Sequence, residues 1–482
     1  MKPRSTVRIA LLLILSISLW ACASSGNGRT KRSHSHAVNP GGSAGDKTPQ
    51  VSTQGSSSKK IGSLTMTTSL SNRNVLLSGP GIVHMAIDLK GAAANSDKRL
   101  PMNVALVIDR SGSMRGEKIE DARASARHFV MQLSPQDRIA IISYSDGVRV
   151  DLPSSKATAA TQKSAMEAIA GIQAGGSTNL SGGLFRAQDE VERHMAAGQV
   201  NRVILMSDGL ANRGLTDTKA ISKRAQQTSQ RGVTTTTMGV GTDYNEDLMT
   251  SLADHAGGNY YFIQESKQIA HVFKEELRKM FATVAQNTVV TFTLEDGIDL
   301  KELYGYTFTR QNGQVTVALS DIFGGQKRSI LLALEVPCMR SGKLALSQVS
   351  LQFDDVNAGL KPQNTQVSVG VTVTKDAALV ESTRNRGVEE RVGEVQVAQA
   401  VEKAADLVKS GNYQAAKRVL QRQRTNTASR AKGMGGSARL QKQIGVLDQL
   451  EVEFEAAEAA PASAPARASV KKAKAKARKL QR

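Results

Sequence analysis

The sequence predicts an α/β fold, a doubly wound and mostly parallel sheet, joined to an all-β sandwich-like region and a C-terminal helical segment. Two observations carry this. Between residues 100 and 284, short apolar runs suited to strands buried on both faces alternate with stretches of helical spacing, which implies β-α-β units. On both sides of that stretch, strand-like runs are separated by turn residues. A chain of 482 residues allows two to four domains, and the central stretch can bury an ample core. With aromatic residues at only 4%, that core is aliphatic.

The central stretch opens on Val104-Ala-Leu-Val-Ile108, a buried strand. Ile119, Ala122, Ala126, Phe129 and Leu133 follow at helical spacing. Strands are expected at 138–144, at 148–151 as a short edge, and at 203–206, 234–240 and 260–263. Helices are expected at 161–172, 181–195, 219–231, 245–255 and 269–284. A dinucleotide fold would share this alternation, but the turn after the first strand is Asp-Arg-Ser-Gly-Ser and not a Gly-x-Gly-x-x-Gly loop.

That turn carries the chemistry. Asp109, Ser111 and Ser113 leave the C-terminal end of the first strand together, and crevices at that end of open α/β sheets are where ligands bind. Oxygen ligands in a tight turn suit a hard divalent cation such as Mg²⁺; the alternative is a serine that only caps the next helix. Two further pieces stand downstream. Gly175-Gly-Ser-Thr178-Asn-Leu offers another hydroxyl beside glycines, or a helix-capping loop. Val203-Ile-Leu-Met-Ser-Asp208-Gly ends a second buried strand in a carboxylate, or an ordinary turn Asp.

In order and spacing, Asp-Arg-Ser-Gly-Ser at 109–113, Thr178 and Asp208 resemble the metal-ion-dependent adhesion site of a von Willebrand factor type A domain, a Rossmann-like fold. The resemblance covers about residues 100–283. It is nearest to the bacterial secreted type related to inter-alpha-trypsin-inhibitor heavy chains and calcium-activated chloride channel regulators, an impression to which Gly-Gly-Asn-Tyr-Tyr-Phe-Ile at 257–263 adds. It implies that Asp109, Ser111, Ser113, Thr178 and Asp208 hold Mg²⁺, or Mn²⁺ or Ca²⁺, and that a partner's Asp or Glu completes the shell. The two carboxylates balance one divalent ion, and the three neutral hydroxyls withdraw little of its Lewis acidity. Arg110 lies in the same loop, where it could face an acidic partner or only solvent; it is not counted in the site.

Catalysis needs a positioned acid, base or nucleophile beside the metal. The sequence has no His-Glu-x-x-His helix and no strand–Gly-x-Ser-x-Gly–helix elbow. None of its seven His stands in the three ligand loops: His128, His255 and His271 flank helices and strands, and His34 and His36 lie in a polar linker. The expectation is a binding module and not an enzyme.

Lys2, Arg4 and Arg8 precede an apolar run to Leu19, then Trp20-Ala21-Cys22. This is a secretory layout, too short for a membrane span. Leu-x-Ala-Cys resembles a bacterial lipoprotein signal, which implies cleavage after residues 1–21 of a 1–22 signal segment and acylation of Cys22. Ala23-Ser24 after it favours the outer membrane of the cell envelope. Several acyl chains hold firmly, at about 0.8 kcal/mol per buried methylene. Cys338 is then left without an intramolecular partner and is expected as a small buried residue.

Residues 23–60 read as a flexible linker. Strands at 61–99 and 285–375 are expected to close into one β-sandwich with the α/β domain, 100–284, inserted in it; the alternative is two separate β elements. Residues 385–458 read as a helical hairpin or bundle, its first pair resembling a single tetratricopeptide-like hairpin. Residues 459–482, ending in Lys471-Lys-Ala-Lys-Ala-Lys-Ala-Arg-Lys, read as a disordered basic tail. With 63 Lys+Arg against 43 Asp+Glu, the formal net charge is +20, which favours anionic surfaces. For an exported chain those are lipid headgroups or acidic envelope polymers, and not nucleic acid. The sequence thus points to an envelope adhesion or assembly module that uses a divalent ion to capture an acidic partner protein. The alternatives are a scaffold whose basic tail does the binding and a metal-dependent hydrolase.

Overall fold

Three short strands and a long one precede the central domain. The computed structural model describes residues 56–77, 79–95 and 99–481, all in one compact unit. The signal segment, Cys22 and most of the linker lie outside the described residues. Strand β1 (Ser56–Ile61) pairs antiparallel with β2 (Leu64–Leu70); β3 (Asn74–Leu76) and β4 (Gly79–Gly91) follow. β1 begins inside the expected linker. It is polar because it forms the edge of its sheet, and hydroxyl pairs such as Ser58–Thr67 at 3.0 Å lie along its pairing with β2.

The α/β domain then runs β5 (Met102–Asp109), α1 (Glu117–Met131), β6 (Arg138–Tyr144), β7 (Val148–Lys156), α2 (Ala159–Ala170), α3 (Leu180–Glu192), β8 (Val200–Ser207), α4 (Thr218–Gln230), β9 (Val233–Val240), α5 (Glu246–His255), β10 (Gly257–Ile263) and α6 (Ile269–Phe281). The sheet order is β10-β9-β8-β5-β6-β7, parallel except for the antiparallel edge strand β7. β7 extends five residues beyond the short strand expected. Along β5 the side chains alternate between two cores. Val104, Leu106 and Ile108 pack with Phe129, Ile169 and Phe273, whereas Ala105 and Val107 pack with Leu184, Ile221 and Leu252. A strand buried on both faces is thus continuously apolar, and its end must expose whatever polar residue comes next.

The chain returns to the β region as β11 (Thr283–Leu294), β12 (Asp299–Tyr304), β13 (Thr309–Gln311), β14 (Gln314–Phe323), β15 (Lys327–Cys338), β16 (Gly342–Asp355) and β17 (Lys361–Thr374). One sheet has the order β1-β2-β4-β15-β12 and the other β13-β14-β11-β16-β17-β3. β4 pairs along its length with β15, Ile87 opposite Ile330, across the whole inserted domain. A single core joins Met66, Met85 and Ile87 to Val290, Phe292, Leu351 and Val371. The segments before and after the α/β domain therefore form one sandwich. Cys338 is buried in that core as a free thiol.

Helix α7 (Ala377–Ser382) leads into α8 (Arg386–Lys409), α9 (Tyr413–Gly433), α10 (Ala438–Ala459) and α11 (Ala464–Gln481). α8 to α11 share one core, and Val388, Val392 and Val395 of α8 pack on Tyr304, Leu331 and Ala333 of the sandwich. Among the described residues, no helix is long and apolar enough to cross a membrane.

α11 corrects the expected disordered tail. Ala466, Val470, Ala473 and Ala477 recur at helical spacing and enter the bundle core. Lys471 is only 4% exposed. Its ammonium donates to Glu246 at 2.6 Å and to the Tyr244 carbonyl at 2.9 Å, and it lies 3.9 Å from the Tyr244 ring centre. Burial holds it below the usual lysine range against the pull of Glu246. Lys474 bridges Asp247 and Asp406 at 2.7 and 2.6 Å, and Arg478 pairs with Asp254. Partner groups of opposite sign on α5 and α8 turn a charge run that looks solvated into an interface.

Candidate metal centre

Asp109 ends β5 with its side chain fully buried. Its Oδ1 accepts the Ser111 amide at 2.8 Å, so the turn is tied to the carboxylate that starts it. Its Oδ2 accepts from Ser207 Oγ at 2.8 Å and from the Tyr144 hydroxyl at 3.2 Å. The chain then makes one 3₁₀ turn at Gly112–Met114 before α1. Ser111 Oγ and Ser113 Oγ are 3.1 Å apart, and Ser113 Oγ donates to Asp208 Oδ1 at 2.7 Å.

Thr178 is brought in by backbone ties. The Gly112 amide donates to the Gly176 carbonyl at 2.9 Å, and the Gly175 amide to the Arg110 carbonyl at 2.7 Å. Gly176 sits at φ +85, and a Cβ there would strike the Asp146 carboxylate at 2.2 Å, so only glycine fits. The Thr178 amide donates to Asn212 Oδ1 at 2.8 Å, and Asn179 caps α3 by accepting the Gly182 amide at 3.0 Å. The capping reading of this loop is realised by Asn179, and Thr178, the residue of the ligand reading, stands directly before it.

Gly209 marks the meeting point. A Cβ built on it would lie 3.2 Å from both Ser113 Oγ and Thr178 Oγ1, and 3.9 Å from Ser111 Oγ. Three hydroxyls from two loops therefore converge beside Asp208, on backbone that carries no side chain. All five residues singled out in the sequence come together; Arg110, in the same turn, is half-buried.

The electrostatics suit a cation. Burial, with the Asp208 charge adding to it, pushes the Asp109 carboxyl up to about 6, despite the opposing hydrogen bonds from Ser111 and Ser207. Lys118, on the first turn of α1, places its ammonium 2.5 Å from Asp208 Oδ2 and 3.3 Å from the Ser113 carbonyl. Two carboxylates and three hydroxyls form a hard, all-oxygen donor set, which fits Mg²⁺, Mn²⁺ or Ca²⁺. Among the described residues, no group of three or more His, Cys, Asp or Glu offers a competing metal site.

Tyr144, Ser207 and Lys118 were not foreseen. Tyr144 is the register partner of Asp109 in the neighbouring strand, so aligning the ends of parallel strands would have found it. Ser207 directly precedes Asp208. Lys118 faces the site because α1 starts only a few residues beyond Ser113.

Residues 103–275 match the von Willebrand factor type A domain family. Relatives include the uncharacterized protein YfbK of Escherichia coli, 31% identical over 261 residues, which are 52% of this chain and 44% of that protein. A second is the human inter-alpha-trypsin inhibitor heavy chain H4, 29% identical over 202 residues, 41% of this chain and 21% of that one. The chain thus spans less than half of either relative. Among solved structures, the von Willebrand factor type A protein from Catenulispora acidiphila aligns with a TM-score of 0.66 at 18% identity, over 82% of this chain and 89% of that one. The ArnB paralog VWA2 from Sulfolobus acidocaldarius aligns with a TM-score of 0.58 at 18% identity, over 87% and 99%. These two share the fold well beyond the α/β domain. Residues 103–275 of this chain are thus a von Willebrand factor type A domain.

Proposed function

We propose that this protein is a metal-dependent protein-binding module of the bacterial envelope. A divalent ion is held by Asp109, Ser111, Ser113, Thr178 and Asp208, and an acidic side chain of a partner protein completes its shell. The observation that carries the reading is the convergence of three hydroxyls beside two buried carboxylates at the C-terminal end of the sheet. Mg²⁺ prefers six oxygen ligands, so a five-oxygen site leaves a position for an outside carboxylate. The bound ion would supply that Lewis-acidic anchor. Binding and not catalysis is favoured because the groups touching the carboxylates are Ser, Tyr and Lys donors already engaged with them.

Anchoring through acylated Cys22 to the outer membrane is part of the same proposal and rests on the sequence alone. The alternative role for the basic tail, binding anionic polymers, is weakened by α11. Lys471, Lys474 and Arg478 are committed to Glu246, Asp247 and Asp254, leaving Lys472 and Lys479 exposed.

The test is pull-down from envelope extracts with and without a chelator, beside calorimetry with Mg²⁺, Mn²⁺ and Ca²⁺. Capture of a partner that is lost with the chelator and in Asp109→Ala supports the reading. No uptake of any of the three ions at about millimolar concentration overturns it.

A further inference from the structure

The metal centre has an apolar neighbour. The connection that follows Asp208 carries two leucines to the surface, Leu210 and Leu215, 59% and 43% exposed. It is fastened to a ligand loop. The Asn212 and Arg213 amides donate to the Thr178 carbonyl at 3.1 and 3.3 Å, and Asn212 Oδ1 accepts the Thr178 amide at 2.8 Å. Scattered exposed apolar residues need no explanation. Leu210 differs because it forms one wall of a cleft beside the ion site.

That cleft has a volume of about 790 Å³, within the range of about 300–1,000 Å³ usual for ligand pockets. It is lined also by the β9–α5 turn, by Tyr413 of α9 and by Pro461 of the α10–α11 turn. Leu210 and Pro461 are exposed and Tyr413 is half-buried, so these apolar groups are open to a ligand. The charged groups around them are paired with one another: Arg467 with Asp243 at 3.3 Å, Lys409 with Asp247 at 2.6 Å and Lys471 with Glu246 at 2.6 Å. A cleft with accessible apolar groups and its charges already matched takes an uncharged, apolar group.

The cleft adjoins the metal centre on two sides. Lys118 Nζ lies 2.5 Å from Asp208 Oδ2, and 3.5 Å from where a Cβ would stand on Gly241, the residue before the cleft-lining Thr242. Gly209, which Leu210 follows, sits against the Ser113 and Thr178 hydroxyls. An acid that reaches the ion therefore brings its neighbours past Leu210. In an extended segment alternate side chains face the same way, and two residues span about 7 Å. Asp208 and Leu210 are likewise two residues apart. We propose, on the basis of the metal-dependent capture described above, that the partner presents an extended segment with a leucine two positions from its acid. The carboxylate sits on the ion and the leucine in the cleft beside Leu210.

The full chain is titrated calorimetrically in Mg²⁺ with the end-blocked peptides Gly-Asp-Gly-Leu-Gly, Gly-Leu-Gly-Asp-Gly and Gly-Asp-Gly-Ser-Gly. One of the two leucine peptides is expected to bind about tenfold tighter than the serine peptide, and chelator to abolish the binding of all three. Leu210→Ser, at a residue already 59% exposed, should take up Mg²⁺ as the wild type does and lose the leucine advantage. Leucine and serine peptides that bind alike, no peptide binding at about 10 mM, binding that persists in chelator, or an advantage that survives Leu210→Ser overturns the proposal. The metal reading fails separately, by the absence of Mg²⁺ uptake in peptide-free wild type, and takes the segment with it. Normal uptake without a preference for leucine overturns the segment alone.

Discussion

Both ends of the α/β sheet bury a pair of carboxylates, and the two pairs are handled in opposite ways. At the amino end, Arg202 of β8, 1% exposed, lies between Glu276 and Asp321 at 3.2 and 3.1 Å, with Thr234 Oγ1 accepting from its Nε at 3.0 Å. Burial pushes Glu276 up, but Arg202 and Lys279 outweigh it and hold that carboxyl below its usual range. Asp321, where burial outweighs the same guanidinium, stays above. At the carboxyl end Asp109 and Asp208 have no guanidinium, and only the half-buried Lys118 approaches, on Asp208. A buried pair supplied with its own cation is a structural joint, here between the α/β domain and β14. A buried pair left short of positive charge is a place for an ion from solution.

The largest way to break this contrast is Arg202→Met, which leaves two buried carboxylates without a cation. We expect a loss of about 3–5 kcal/mol in urea unfolding; a loss below about 1 kcal/mol would mean that the joint is not what holds the domains. The next concerns the carboxyl end in chelator. The folded pKa of Asp109, about 6, lies above the usual 3.8, so its contribution is fully present below 3.8 and is lost as pH rises through about 6. The wild type should therefore lose up to about 3 kcal/mol relative to Asp109→Asn over that window. Parallel pH profiles of the two proteins would contradict this.

Magnesium sharpens the comparison from the other side. At about one hundred times its Kd it should add about 2.7 kcal/mol to the wild type, nothing to Asp109→Ala, and leave the Arg202→Met deficit unrepaired. The smallest effect is at Lys118. Lys118→Met removes the ammonium that competes for Asp208, and magnesium should bind about fivefold tighter, the equivalent of about 1 kcal/mol. Weaker binding in calorimetry would show that Lys118 supports the site and does not compete with it.

The sequence made the α/β domain legible because its strands are buried on both faces. Val104–Ile108 and Val203–Met206 cannot be read as anything exposed, and the carboxylates that end them point at the site. The insertion was legible from strand patterns on either side. β1 and α11 were hidden for one physical reason. Their polar side chains find partners far away in the chain, Ser58 on Thr67 and Lys471 on Glu246, and no local pattern reports a distant counter-charge. The spacing of Ala466, Val470, Ala473 and Ala477 was present, but a lysine-alanine repeat reads first as a solvated charge run. Arg202 was equally silent, a lone cation in an apolar strand whose two partners stand 74 and 119 residues away.

The domain leaves β4 and re-enters at β11, and these two strands lie in different sheets of the sandwich, each hydrogen-bonded on both flanks, β4 by β2 and β15, β11 by β14 and β16. A force on the α/β domain is thus divided between two ropes, each knotted into the middle of its own net. Neither rope is a border strand that tension could peel off one bond at a time. Pulling the domain out of the sandwich requires a whole ladder to slide at once, so the insertion is held at both ends by shear and not by peeling.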